Sequence, residues 1–170
     1  MTQESMVLGV DPSLNRTGLA LLNTRRELVA SGVVKPREGP RCERLAQIQS
    51  QINDVLTRWI PTVAYFESPG AWQRKGGLRQ ETIEAMGMAR GVMLAACAVH
   101  GVPVEEVNFR SVRSALIGNA NAKAPEIAAY IEEMGLTIPR RPRGGTDFDV
   151  ANAMLMALFG LRARDEDLSV

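Results

Sequence analysis

The sequence predicts one α/β domain with a mixed sheet, and three observations support that class. Three strand-like apolar runs open the chain, at residues 6–10, 19–22 and 27–34, and the turn segment DPSLNRTG predicts a hairpin between the first two. Helical patterns then alternate with short apolar runs. The 170 residues, 45% of them hydrophobic, are enough for a single core that needs no disulfide or structural metal.

The remaining elements follow the loop KPREGP. Apolar residues recur at helical spacing over residues 45–59, and a strand follows at 62–66, where Pro69 and Gly70 end the run. Residues 80–100 predict one long helix, and residues 102–107 predict another strand. Three further helices are expected at 111–117, 125–134 and 150–162. We therefore expect a single domain over residues 1–164, followed by a short acidic tail at 165–170.

Composition argues against an exported or membrane-spanning protein. No apolar run is expected to reach the ~18 residues of a membrane span, and the first residues lack the pattern of a signal peptide. Cys42 and Cys97 do not make a disulfide framework, so the cytoplasm is the expected location. The net charge is +1, although residues 72–143 carry 10 basic against 7 acidic residues. That excess is compatible either with scattered charge or with a nucleic-acid-binding face.

Acidic side chains end two of the predicted strands. Asp11 follows the apolar run MVLGV, and Glu67 follows VAYF. If these two strands are neighbours, both carboxylates lie at the edge of the sheet where open α/β proteins bind ligands. Taken alone, Asp11 is equally compatible with capping the turn that follows it.

A third group of oxygen ligands opens the last predicted helix. Asp149 and Asn152 are three residues apart on one helical face, and Asp147 precedes them. Capping of the helix is the alternative role for Asp147 or Asp149. Because the chain has one histidine and no cysteine cluster, these ligands favour Mg²⁺ or Mn²⁺ over zinc. A pair of such ions would support phosphodiester cleavage.

Basic residues and one aromatic residue follow Glu67. Trp72 precedes Arg74 and Lys75, and it could either stack on a displaced base or anchor the loop in the core. The expected contacts to DNA lie in two segments, 72–79 and 110–123. They are Trp72, Arg74, Lys75, Arg79, Arg110, Arg113, Asn119 and Lys123. A further basic cluster of Arg140, Arg141 and Arg143 could also contact phosphates.

Five segments resemble the RuvC-type Holliday-junction resolvases of the RNase H-like nuclease superfamily. They are LGVDPSLNRTGLALL, VAYFES, AMGMARGVMLAACAVHGVPVEEV, NFRSVRSALIGNANAKAPEI and DFDVANAMLMAL, and they extend over most of the chain. The resemblance makes Asp11 and Glu67 the counterparts of catalytic metal ligands. It also implies DNA-binding roles for Arg113 and Lys123.

The chain departs from the family in the last of these segments. The family has two acids three residues apart, whereas this chain has Asp149 followed by Asn152. An amide oxygen can ligate a metal but adds no charge, so a second ion should bind more weakly. Asp147 could compensate by supplying that charge from two residues before Asp149.

The resemblance implies an RNase H-like fold with a mixed five-stranded sheet flanked by helices. It also implies a homodimer that resolves four-way or branched DNA in recombination and repair, by symmetric nicking with Mg²⁺ or Mn²⁺ and two ions per site. A junction-binding protein without nuclease activity is the alternative that Asn152 leaves open. An RNase H-like enzyme acting on RNA is another, whereas an actin-like ATPase would need more chain. The sequence leaves any helicase partner undetermined.

Overall fold

A computed structural model describes residues 5–68 and 79–167. Its strands are β1 (Met6–Asp11), β2 (Thr17–Asn23), β3 (Leu28–Val34), β4 (Val63–Glu67) and β5 (Val104–Val107). Its helices are α1 (Arg41–Trp59), α2 (Gln80–Val99), α3 (Phe109–Ile117), α4 (Ala124–Glu133) and α5 (Phe148–Asp167). Every predicted element is confirmed, with shifted ends. The largest shift is in α5, which continues through residues 165–167 of the expected tail.

The strands form one five-stranded sheet in the order β3-β2-β1-β4-β5. β1 pairs antiparallel with β2, which pairs antiparallel with β3. β4 lies parallel to β1 on its other side, and β5 lies parallel to β4. The expected mixed sheet is therefore confirmed. The central strands are apolar on both faces because helices cover the sheet on both sides.

Two hydrophobic clusters lie on opposite faces of the sheet. Val7 and Tyr65 point to the face covered by α3, α4 and α5, whereas Leu8 and Phe66 point to the face covered by α1 and α2. This alternation follows from the two-residue period of a strand. The sheet is thus enclosed between two layers of helices, and its edges are left for the connecting loops.

Two glycines allow α5 to lie directly against the central strands. A Cβ atom at Gly9 would stand 1.9 Å from the Ala153 carbonyl oxygen, and one at Gly18 would stand 2.0 Å from the Asp149 carbonyl oxygen. A side chain at either position would therefore force the helix backbone away from the sheet. The start of α5 is consequently held beside the end of β1.

Gly18→Ala should lower the free energy of unfolding by about 2 kcal/mol, because the backbone of α5 has to shift to make room. Gly32→Ala is the matched control, since Gly32 lies in the neighbouring strand β3 and a Cβ there would meet nothing within 4 Å. The control should change stability by less than about 1 kcal/mol. Urea denaturation measures both values. Equal stabilities would show that α5 does not lie this closely on β2.

Helix α2 corrects the expectation that no segment could span a membrane. By length and composition alone, Gln80–Val99 could cross a membrane, and 22% of its most apolar 18-residue stretch is buried in the protein. The expectation was wrong because the apolar character continues well beyond the short run MLAACAV. The inner face of α2 packs against α1 through Ala89, Met93, Ala96 and Cys97. The outer face of the second half of α2 exposes small and apolar residues, whereas Glu81 and Glu84 are exposed near its start.

Candidate active site

Asp11 and Glu67 end the two strands at the centre of the sheet. β1 and β4 are parallel neighbours, with Val10 opposite Phe66, so their carboxyl ends meet at one edge. The expectation that the two acids come from neighbouring strands is therefore confirmed. The strand residues directly before them, 7–10 and 63–66, are buried, whereas Asp11 and Glu67 are partly exposed. We call this part of the sheet, where Asp11 and Glu67 lie, the carboxylate edge.

The start of α5 brings two further polar side chains to the carboxylate edge. Gly18 is the strand partner of Asp11, and its missing side chain makes room for the Asp149 backbone. One turn further along the helix, Asn152 Nδ2 donates a hydrogen bond of 2.9 Å to Asp11 Oδ2. Asn152 therefore serves Asp11 as a hydrogen-bond donor in this structure.

The carboxyl group of Asp11 holds its proton more strongly than an ordinary aspartate does. Desolvation by the surrounding protein is the main cause, and it raises the pKa from 3.8 to about 7. The hydrogen bond from Asn152 lowers the pKa, whereas the negative charges of Glu67 and Asp149 raise it. Three carboxylates thus lie within electrostatic range of one another. A cation among them would favour their ionised forms.

Two arginines neutralise the acids at the start of α5. Arg16, in the turn between β1 and β2, donates from Nε to Asp149 Oδ2 at 2.5 Å and forms an ion pair with Asp147. Arg141 lies 3.5 Å from Asp149 Oδ2 through a terminal guanidinium nitrogen. The Asp147 carbonyl also accepts the hydrogen bond of the Ala151 backbone N–H, so Asp147 stands where the helix begins.

The chemistry of these side chains suits a hard divalent cation. Asp11, Glu67 and Asp149 offer carboxylate oxygens and Asn152 offers an amide oxygen, which are the donors that Mg²⁺ and Mn²⁺ prefer. Among residues 5–68 and 79–167, no three Asp, Glu, His or Cys side chains are grouped so that they could hold one ion together. Asp149 contacts Arg16 instead, and it would have to turn away from Arg16 to join the others.

The residues expected to contact DNA differ in whether the structure describes them and in how exposed they are. Three of them lie outside the described residues: Trp72, Arg74 and Lys75. Four others are exposed: Arg79, Arg110, Asn119 and Lys123. Val107 at the end of β5 pairs with Glu67, and Asn108 then caps α3 by accepting a hydrogen bond from the Arg110 backbone N–H. The first turn of α3 is therefore close to the carboxylate edge.

Arg113 is tied into the protein more firmly than the described basic residues that were expected to contact DNA, namely Arg79, Arg110 and Lys123. Its guanidinium donates to the Ala122 carbonyl oxygen at 3.0 Å and lies 5.0 Å from the centre of the Phe109 ring. Desolvation lowers its pKa, and the negative charge of Glu67 acts in the opposite direction. Arg113 thus fixes the connection between α3 and α4 beside Glu67. Its contact with DNA stays a prediction.

Sequence reasoning missed Arg16 as a member of the site. Arg16 lies in the hairpin turn between Asp11 and Gly18, and these two residues pair across β1 and β2. The backbone of that short turn has to lie near the end of β1, so the predicted hairpin was a usable indication. The partners of Arg16 could not be inferred in this way, because Asp147 and Asp149 lie more than 130 positions away along the chain.

The fold and the carboxylate edge together define a nuclease of the RNase H-like class. The solved structure "T. thermophilus RuvC in complex with Holliday junction substrate" matches with a TM-score of 0.77 and 27% identity, over 95% of this chain and 96% of that chain. The yeast mitochondrial Holliday junction resolvase Ydc2 shares the fold with a TM-score of 0.64 and 13% identity, over 96% of this chain and 82% of that chain.

The sequence model of the family described as "Crossover junction endodeoxyribonuclease RuvC" matches residues 7–159, and the chain belongs to this family. A relative with that name from Nitratidesulfovibrio vulgaris (strain Hildenborough) is 29% identical over 167 residues, 96% of this chain and 95% of the relative. Another, from Prochlorococcus marinus (strain MIT 9313), is 29% identical over 159 residues, 91% of this chain and 96% of the relative. The protein is therefore a metal-dependent endodeoxyribonuclease.

Proposed function

We propose that this protein resolves Holliday junctions by nicking DNA at the carboxylate edge. The position of Asp11 is the observation that supports the proposal. Its carboxylate lies at the end of the central strand and accepts a hydrogen bond from Asn152, and the charges of Glu67 and Asp149 raise its pKa. The T. thermophilus relative is described in complex with a Holliday junction substrate, which supports four-way DNA as the substrate. The position of α3 beside Glu67 brings the exposed side chain of Arg110 near the same edge.

We assign Asp11, Glu67 and Asp149 as ligands of Mg²⁺ or Mn²⁺, with two ions per site. When bound, such ions activate a water and stabilise the leaving oxygen of a phosphodiester. Asn152 orients Asp11 through its hydrogen bond and offers an amide oxygen as a further ligand. Asp147, two residues before Asp149, is a further source of negative charge beside the site, and Arg16 and Arg141 balance that charge in this structure.

We propose that exposed basic side chains hold the DNA backbone on either side of this edge. Arg79 precedes α2, Arg110 lies in the first turn of α3, and Lys123 lies in the loop before α4. Contacts with phosphates position a duplex arm without reading its bases. The selectivity of the enzyme would then come from the shape of the junction. Trp72, Arg74, Lys75 and Asn119 keep their predicted roles in this scheme.

We propose that α2 forms the interface of a homodimer. Its outer face carries Met88, Gly91, Ala95 and Ala98 at helical spacing, and a Cβ at Gly91 would meet nothing within 4 Å. Val99, at the end of the helix, is 82% exposed. An apolar face of small residues would let a second copy of the helix approach closely. Two-fold symmetry would then present two active sites to opposite strands of a junction.

Cleavage of a synthetic four-way DNA junction in Mg²⁺ or Mn²⁺ tests the proposed function, with a linear duplex and a branched RNA as controls. We expect paired nicks at symmetric positions of the DNA junction and no comparable cleavage of the controls. The same preparation should sediment at about twice the 18.5 kDa of one chain. A protein that shows no preference for the junction would contradict the proposal.

Asn152→Asp belongs in the same assay, because it separates an active enzyme from a protein that only binds junctions. The added carboxylate should lower the metal concentration needed for cleavage. The family membership favours the nuclease, which should cut without the substitution. Binding without cleavage by the unaltered chain, with cleavage restored by Asn152→Asp, would favour the junction-binding alternative.

The location of the protein in the cytoplasm stays a proposal. Cys42 is exposed and Cys97 is buried, and both are free thiols. Unpaired cysteines are the usual state in a reducing compartment. The proposed substrate, DNA, is also found there in a bacterial cell, which agrees with the bacterial relatives.

A further inference from the structure

Arg16 bridges the two acids at the start of α5. Its Nε donates to Asp149 Oδ2 at 2.5 Å, and a terminal nitrogen of the same guanidinium pairs with Asp147 Oδ2. Arg141 also lies within ion-pair distance of both carboxylates, at 3.9 Å from Asp147 and 3.5 Å from Asp149. The two negative charges on this side of the site are therefore already balanced by two guanidinium groups.

The ion pairs of Arg16 with Asp147 and Asp149 are partly buried, so they should be stronger than ion pairs at an exposed surface. The Asp147 side chain is 7% exposed, and those of Arg16 and Asp149 are both 27% exposed. Charge-assisted bonds from one guanidinium to two carboxylates are stronger than ordinary hydrogen bonds. Removing one partner of a buried pair leaves the other charge poorly solvated, which opposes release of Arg16.

The turn that carries Arg16 is itself held in place. Thr17 Oγ1 donates to the Ser13 carbonyl oxygen at 2.7 Å, and the Ser13 backbone N–H donates to Thr17 Oγ1 at 3.0 Å. Arg44, on α1, donates to the Leu14 carbonyl oxygen at 3.0 Å. These bonds fix the backbone on both sides of Arg16. The guanidinium thus starts from a defined position beside the carboxylate edge.

The part of the site around Asp11 is stabilised by a neutral hydrogen-bond donor rather than by a cation. Asp11 accepts its hydrogen bond from Asn152, which is a neutral amide, and within residues 5–68 and 79–167 no basic side chain pairs with it. A divalent ion that binds at Asp11 displaces the neutral amide of Asn152. An ion that binds through Asp149 has to displace Arg16, which is a cation with two anionic partners.

From this difference we propose that Arg16 is a resident counter-cation that competes with a divalent ion for Asp149. The free protein then binds one divalent ion tightly, near Asp11 and Glu67, and a second ion only weakly. Arg16 is a positioning residue in this scheme, because it acts through Asp149 rather than on the DNA. The inference rests on the metal ligands assigned under the proposed function.

Titration of the DNA-free protein with Mn²⁺, followed by calorimetry and by the electron paramagnetic resonance of free Mn²⁺, tests this role. The unaltered chain should bind one Mn²⁺ tightly. Arg16→Gln should bind a second Mn²⁺ at least about tenfold more tightly than the unaltered chain does, because a positive charge beside Asp149 has gone. Arg16→Lys keeps the charge and should resemble the unaltered chain.

Arg25→Gln is the matched control, since Arg25 pairs with the exposed Glu27 in the next turn and should not affect Mn²⁺ binding. If Arg16→Gln does not fold, the double variant Arg16→Gln with Asp147→Asn replaces it, because this variant also removes the buried acid that has lost its partner. The double variant should bind the second Mn²⁺ more tightly by the same factor. Two equally tight ions in the unaltered chain, or unchanged binding after Arg16→Gln, would overturn the inference.

These results also separate this inference from the proposed function. Intact junction cleavage together with unchanged Mn²⁺ binding in Arg16→Gln would overturn only the role of Arg16. If none of the proteins bound Mn²⁺, the assigned metal ligands and the role of Arg16 would both be wrong.

Discussion

Asp11→Asn should reduce the rate of junction cleavage by at least about a thousandfold, because it removes the charged ligand at the centre of the carboxylate edge. The fold should survive, since an asparagine side chain of the same shape can still accept the hydrogen bond from Asn152. Single-turnover cleavage of a prebound four-way junction measures the loss. Junction binding in the absence of metal should stay within a few-fold of the unaltered protein.

Two further variants test whether the loss of cleavage is specific to the carboxylate edge. Glu67→Gln should show a loss of similar size, because Glu67 ends the neighbouring parallel strand. Asp54→Asn is the control, since Asp54 is an exposed acid on α1 and has no assigned role in catalysis. Cleavage by Asp11→Asn at more than about a tenth of the normal rate would contradict the assignment of Asp11 as a metal ligand.

The metal-free protein should become less stable as the pH rises, and Asp11→Asn should remove most of that loss. The pKa of Asp11 is about 7 in the folded protein and near 3.8 in an unfolded chain. Protonation of Asp11 therefore stabilises the fold fully below about pH 4, and this contribution is lost as the pH rises through about 7. Above that pH the folded protein has to keep a desolvated carboxylate.

Urea denaturation in the presence of a chelator measures this effect at pH 5 and pH 8. The free energy of unfolding of Asp11→Asn, relative to that of the unaltered protein, should increase by about 3 kcal/mol from pH 5 to pH 8, since one pKa unit corresponds to about 1.4 kcal/mol. Divalent metal should reduce the difference at pH 8, because an ion that binds the folded state stabilises it. A difference that does not change with pH would show that Asp11 is ionised throughout the range.

The local pattern of the sequence was sufficient to predict the elements and the two strand-end acids. Alternating and helical periodicities depend on near neighbours in the chain, so each strand and helix could be recognised without the others. Asp11 and Glu67 were found for the same reason, because each interrupts an apolar run at its end. To predict that the two acids lie close together, one further assumption was needed, namely that the two strands are adjacent. The parallel pairing of β1 and β4 confirms it.

The exposure of α2 could not be predicted in this way. Its composition is that of a buried helix, yet only one face packs against α1 and the opposite face is left open. Composition reports how apolar a helix is, but not how much of it the rest of the chain covers. That depends on which helices share a face of the sheet.

The sequence by itself therefore determined the class of fold, the order of the elements and the acids at the strand ends. Only the tertiary structure decided that Arg16 pairs with Asp147 and Asp149, and that Asn152 donates to Asp11. These contacts join the first hairpin to the last helix, and they exist because Gly9 and Gly18 let that helix lie against the central strands. Such pairings depend on how distant elements pack, which periodicity along the chain does not record.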